Sequence, residues 1–188
     1  MRNLAFITAS SLLCACAMDM STEKLTKEEL AEQVVQEGAI EKSAWTSFWF
    51  SEENGGAVCP AGMSLNGMEC SGNYCDNLRI RCRNDGDTFL GSDSYWTNFF
   101  SEEQGGGGCA GGYAVTGVWC SGSYCDNIQL RCTEVMYNYI DYCHSTNWFS
   151  EEGSGYAELS YPWDRVTYIG CSGNYCDNKY LYGCDYDF

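Results

Sequence analysis

The feature that most constrains this chain is one unit written three times. Copy one runs Trp49-Phe50-Ser51-Glu52-Glu53, then Cys59, Gly62 and Gly67, then Cys70-Ser71-Gly72-Asn73-Tyr74-Cys75-Asp76-Asn77, ending at Cys82. Copy two runs Phe99-Phe100-Ser101-Glu102-Glu103, then Cys109, Gly112 and Gly117, then Cys120-Ser121-Gly122-Ser123-Tyr124-Cys125-Asp126-Asn127, ending at Cys132. Copy three has Trp148-Phe149-Ser150-Glu151-Glu152, then Cys171-Ser172-Gly173-Asn174-Tyr175-Cys176-Asp177-Asn178, ending at Cys184. Cys70 and Cys120 are 50 residues apart, Cys120 and Cys171 are 51. Equal units at this period either close into a ring or sit as separate beads. Linkers of about a dozen residues favour one closed domain over 45–188, divided near 45–90, 91–140 and 141–188.

Within a unit the pattern is β. Ala114-Val115-Thr116-Gly117-Val118-Trp119 and Ile128-Gln129-Leu130-Arg131 are bounded by Gly, Ser and Asn. Leu78-Arg79-Ile80-Arg81 alternates apolar and basic, which gives one buried and one wet face. Nothing after residue 45 sustains a helical period, so the expected class is an all-β, disulfide-rich domain.

Fourteen cysteines point to an oxidising compartment. Met1-Arg2-Asn3 followed by an apolar run to Ala17 reads as a secretory leader over 1–17, too short to span a bilayer. Leu13-Cys14-Ala15-Cys16 resembles a lipobox, which makes Cys16 the expected lipidation site. Ala15-Cys16-Ala17 also fits ordinary leader cleavage. Residues 18–44 read as a partly helical tether, with Thr26 and Glu29 as a capping box. The expected location is extracytoplasmic: an outer-membrane or surface lipoprotein, or otherwise a secreted protein.

Setting aside Cys14 and Cys16 leaves twelve cysteines, four per copy. The third copy has Ser160 at the spacing of Cys59 and Cys109, and carries Cys143 upstream instead. That exchange suggests that Cys143 meets the same partner from another strand. The loops Cys70–Cys75, Cys120–Cys125 and Cys171–Cys176 keep their spacing in every copy. This favours local pairs there, with Cys59–Cys82, Cys109–Cys132 and Cys143–Cys184 across each unit. Four cysteines still permit three connectivities.

Cys59-Pro60-Ala61-Gly62, the downstream Gly67, and Asp76-Asn77-Leu78-Arg79-Ile80-Arg81-Cys82 resemble the vitelline membrane outer layer protein I family. The likeness covers 45–188 by architecture. The chain lacks that family's Asn-Gly exit and has its own Cys-Ser-Gly-x-Tyr-Cys loop. The resemblance implies a β-prism, three antiparallel sheets about a pseudo-threefold axis, and supports the long-range cysteine pairs. It also implies an extracellular coat or carbohydrate-binding role.

Function is narrowed further by charge. Ten basic and 26 acidic residues give a net charge of −16, which disfavours nucleic acid or an anionic bilayer as partner. Membrane contact is expected only through a lipid anchor. A single histidine, His144, has no nucleophile pattern beside it and reads as a packing or surface residue. No cofactor is expected, and three symmetric acidic pairs do not resemble one glycosidase cleft, so the chain reads as no enzyme. Phe-Ser-Glu-Glu reads as a turn capped by Ser51, Ser101 and Ser150. Ca²⁺ at Glu52/Glu53 and their counterparts, or at Asp85-Gly86-Asp87 and Asp93, is a weaker reading.

The repeated loop has two readings. Asp76, Asp126 and Asp177 accept hydrogen bonds within the loop, with the tyrosines packed on the disulfides. Alternatively Tyr74/Asp76/Asn77, Tyr124/Asp126/Asn127 and Tyr175/Asp177/Asn178 are three ligand sites for a sugar, each an aromatic stack beside a carboxylate and an amide. The expected function is a non-enzymatic binding module for a polysaccharide or surface glycan. The alternative is a structural envelope or coat protein without a small ligand.

Overall fold

The computed structural model describes residues 43–46, 48–84, 90–136, 139–161 and 163–187. The leader with Cys16, tether residues 18–42 and Asp85-Gly86-Asp87 lie outside them. Each repeat contributes four strands in the same order. The first has β1 (Ser43–Trp45), β2 (Gly56–Val58), β3 (Met63–Ser71) and β4 (Asn77–Asn84). The second has β5 (Leu90–Trp96), β6 (Gly106–Gly108), β7 (Tyr113–Ser121) and β8 (Asn127–Val135). The third has β9 (Tyr139–Ser145), β10 (Tyr156–Glu158), β11 (Asp164–Ser172) and β12 (Asn178–Asp187). β1 thus takes in the last two residues assigned to the tether.

The strands form three four-stranded antiparallel sheets, ordered β1-β4-β3-β10, β5-β8-β7-β2 and β9-β12-β11-β6. In each repeat the third and fourth strands make a hairpin, and the first strand flanks the fourth. The short second strand leaves its own repeat. β2 pairs with β7, β6 with β11, and β10 returns to β3. This exchange runs from repeat one to two, two to three and three to one, so the repeats form one closed ring and not beads.

The alternation read from Leu78 to Arg81 is the alternation observed: Leu78 and Ile80 are buried, while Arg79 and Arg81 reach the other face. The inward residues stack as triplets about the axis: Phe50/Phe100/Phe149, Leu65/Val115/Val166, Met68/Val118/Ile169 and Ile80/Leu130/Leu181. One bulge recurs in every hairpin, at Asn66, Thr116 and Thr167. It restarts the alternation so that both ends of a nine-residue strand face the core.

Six disulfides staple the ring: Cys59–Cys82, Cys109–Cys132, Cys143–Cys184, Cys70–Cys75, Cys120–Cys125 and Cys171–Cys176. The third repeat differs from the expectation in one respect. The backbone N–H groups of Cys59 and Cys109 donate to Thr116 and Thr167, and the matching bond is Leu159 to Asn66. The counterpart of Cys59 is therefore Leu159, not Ser160. The register likewise sets Cys82 opposite Leu65 and Gly183 opposite Val166, so Gly183, not Cys184, matches Cys82. Leu159 fills the volume that a disulfide occupies in the other repeats, its Cδ1 2.3 Å from where a Gly183 Cβ would stand. Cys184 sits one residue further along and faces the opposite side of its strand, directly across from Cys143 on β9. There it packs with Ala114, Val135 and Tyr186 outside the axial core.

Candidate functional site

The three Cys-Ser-Gly-x-Tyr-Cys loops are the hairpin tips, and all three meet at one end of the prism. Gly72, Gly122 and Gly173 open them at φ 78°, 81° and 78°, as a tight turn requires. Tyr and Cys follow in the left-handed region, with φ 56° to 58° at all six positions, a conformation that L side chains adopt at a cost. The strained tips converge on one another. Tyr74, Tyr124 and Tyr175 form a closed triangle, with ring centroids 5.3, 5.2 and 5.1 Å apart and each edge tilted into its neighbour. The tyrosines are thus one axial cap and not three spaced sites.

The polar members of the loops face inward on their own turns. Asp76 Oδ1 accepts from Asn77 Nδ2 at 2.6 Å, Asp126 from Asn127 at 2.6 Å and Asp177 from Asn178 at 2.7 Å. Each carboxylate oxygen lies 1.9 to 2.0 Å from where a glycine Cβ would be, so the glycine makes room for it. Burial pushes the Asp76 pKa up, offset in part by the Asn77 side chain. Asp and Asn of the motif thus build the turn.

The Phe-Ser-Glu-Glu motif locks neighbouring repeats together. Ser51 caps its turn, its Oγ accepting from the Glu53 N–H, and Ser101 repeats this with Glu103. The first glutamate reaches the next loop in the ring. Glu151 accepts from the backbone N–H of Tyr74 at 2.8 Å. Glu52 approaches Cys125 in the same sense, and Glu102 lies beside Cys171 and Cys176. These acid–sulfur clusters are no metal site, because both sulfurs of each are bonded to one another and no thiolate is present. Asp93 is taken by the Tyr113 hydroxyl at 2.7 Å, a bond that pushes the Tyr113 pKa up to about 12.

Directly beneath the cap one triplet is broken. Leu78 and Ile128 have Lys179 as their third member, fully buried. Its ammonium donates to the carbonyl of Cys176. Burial lowers its pKa to about 8, against the pull of Asp177 and Glu151.

The same scaffold carries three different outer faces, which sequence reasoning did not separate. Two rows cross each sheet. On the first sheet they are Tyr156–Glu69–Arg79 and Glu158–Gly67–Arg81–Trp45. Here each arginine has a carboxylate partner: Arg79 pairs with Glu69, and Arg81 and Arg83 share Glu158. The Arg79 guanidinium lies 5.1 Å from the Trp45 ring and 4.8 Å from Trp49. On the second sheet the rows are Gly56–Trp119–Gln129 and Val58–Gly117–Arg131–Trp96.

On the third sheet they are Gly106–Gly170–Tyr180 and Gly108–Tyr168–Tyr182–Ser145. Every charged member is gone. Glycine allows the rings to lie down on the sheet: a Gly170 Cβ would stand 1.8 Å from the Tyr180 ring, and a Gly108 Cβ 2.8 Å from the Tyr168 ring. Trp148 meets Tyr180 at 4.6 Å, and Tyr180 meets Tyr168 at 6.1 Å. Tyr168 donates to the carbonyl of Gly105, and burial raises its pKa. Trp148 is 51% exposed and Tyr182 37%. The result is an uncharged aromatic platform on a glycine floor. Its signal in the sequence is the Gly106-Gly107-Gly108 run opposite alternating tyrosines, legible only once β6 is known to join β11.

No family model matches the chain, and no curated protein or solved structure matches it.

Proposed function

We propose that this chain is a non-enzymatic, extracytoplasmic binding module for glycan, held at a membrane surface through an acylated Cys16. The observation that carries the reading is the third sheet's platform of Trp148, Tyr168, Tyr180 and Tyr182. Ring faces carry partial negative charge, and the C–H groups on the apolar face of a pyranose carry partial positive charge, so the two stack. Tyrosine hydroxyls at the edge of such a platform serve the sugar hydroxyls. Absence of charge across both rows suits a neutral sugar. The axial cap of Tyr74, Tyr124 and Tyr175 serves architecture in this reading, because its aspartates and asparagines are occupied by one another.

Polysaccharide pull-down and a glycan array on oxidised protein test the proposal. Trp148→Ala and Tyr180→Ala should each weaken binding, and the double variant should abolish it, with the melting temperature little changed. Tyr74→Ala/Tyr124→Ala/Tyr175→Ala should lower the melting temperature. Binding by no glycan in the wild type would overturn the reading in favour of a structural coat protein.

A further inference from the structure

The second sheet repeats the ion-pair row of the first with its acid missing. In the first sheet Glu158 stands on β10 and Arg81 on β4, with Gly67 between them. Because Gly67 has no side chain, the carboxylate reaches across it to Arg81, and also accepts from Asn66 at 2.9 Å and Arg83 at 3.3 Å. In the second sheet Gly117 again leaves the gap and Arg131 again stands beside it, but the residue opposite is Val58. Thr116 and Thr133 replace Asn66 and Arg83. Val58 is delivered from the preceding repeat by the strand exchange, so the mismatch arises between repeats.

Arg131 is consequently a half-buried guanidinium whose hydrogen-bond partner is the Ser94 hydroxyl, at 3.2 Å. No carboxylate pairs with it among the described residues, in a chain of net charge −16. Burial lowers its pKa. Arg131 lines an open pocket of about 500 Å³ between the Val58–Met63 segment of the first repeat and β5, β7 and β8 of the second. Ser92 and Ser94 bring hydroxyls to its wall, beside the Thr116 and Thr133 hydroxyls, which are hydrogen-bonded to each other at 2.7 Å, and Pro60 and Met63 bring apolar surface. That volume is within the range of small-molecule sites.

We infer that this pocket binds a polyhydroxylated carboxylate of monosaccharide size, its carboxylate taking on Arg131 the place that Glu158 holds on Arg81. A guanidinium binds a carboxylate through parallel charge-assisted hydrogen bonds, and the hydroxyl-bearing wall suits a sugar acid better than a fatty acid. The source is a free sugar acid or a uronate residue of a glycan. The site lies on a different sheet from the aromatic platform and stands whether or not that platform binds sugar.

The test is calorimetric titration of the oxidised full chain with glucuronate, gluconate, glucose and acetate, with a uronate oligosaccharide as a further arm. Glucuronate or gluconate should bind, glucose at least tenfold more weakly, and acetate more weakly than either acid. A preference for the oligosaccharide over the monomers identifies a glycan residue as the source, and the reverse order a free acid. Arg131→Gln should weaken binding at least tenfold. Val58→Glu is the decisive variant, because it restores the acid of the first sheet while leaving Arg131 in place. It should abolish binding and raise the melting temperature. Equal binding of glucose and glucuronate, equal binding of acetate, no binding of any acid at millimolar concentration, or full binding by Val58→Glu would each overturn the inference.

Discussion

Replacing Lys179 by leucine should make the protein more stable, and the gain should depend on pH in a defined direction. The site is fully buried, and its counterparts are Leu78 and Ile128. The ammonium has its hydrogen bond to Cys176 but has lost its water, which lowers the pKa from 10.5 to about 8. At about 1.4 kcal/mol per pH unit, keeping the charged form in the fold costs about 3 kcal/mol. The sign follows from linkage. Between about pH 8 and 10.5 the unfolded chain still holds the proton that the folded chain has lost, so wild-type stability from this residue rises with pH across that window. Below about pH 8 the full cost applies. Lys179→Leu should therefore gain about 3 kcal/mol at pH 7, which is roughly 6–12 °C in melting temperature for a chain of this size. Urea unfolding of both proteins from pH 6 to 10 should show the gap narrowing above pH 8. Tyr186, whose pKa burial pushes up to about 12, loses stability in both proteins as pH passes 10, and the difference removes it. Lys179→Met keeps the stem length if leucine packs badly. A less stable variant in both forms, or a gap constant with pH, would refute the reasoning.

Adjacent glutamates should behave differently. Glu151→Ala removes the acceptor for the Tyr74 N–H and should cost about 1 kcal/mol in chemical denaturation, while the exposed Glu152→Ala should stay within about 0.5 kcal/mol. Removing the Cys143–Cys184 bond by double alanine substitution should cost up to about 4 kcal/mol on the chain-entropy model, for its separation of 41 residues. Removing the short Cys70–Cys75 bond should cost nearer 2 kcal/mol on the same model, and thermal melts rank the two. Cys16→Ser should move the protein from the membrane fraction to the soluble one, and an unchanged distribution would refute the lipid anchor.

Local sequence determined the parts of this protein. The period near 50 residues, the alternation around Leu78–Arg81 and the glycine at the head of each cysteine loop depend on near neighbours, and a pattern in the chain records them directly. Counting back from the loop fails at the third repeat, where one extra residue between Leu159 and Val166 puts Leu159 at the place expected for Ser160, while Gly183, seven residues past Cys176 as Cys82 is past Cys75, holds the place expected for Cys184. Only hydrogen-bond register reveals such a slip, because a strand that shifts by one turns every side chain to its other face. Everything that distinguishes the three faces was decided by the tertiary structure. β2, β6 and β10 each leave their own repeat, so Val58 meets Arg131, Glu158 meets Arg81 and the Gly106–Gly108 floor meets Tyr168. The same closure brings Tyr74, Tyr124 and Tyr175 edge to face. These contacts join residues roughly 50 to 100 positions apart, a distance over which side-chain periodicity carries no information about which partner the backbone will supply.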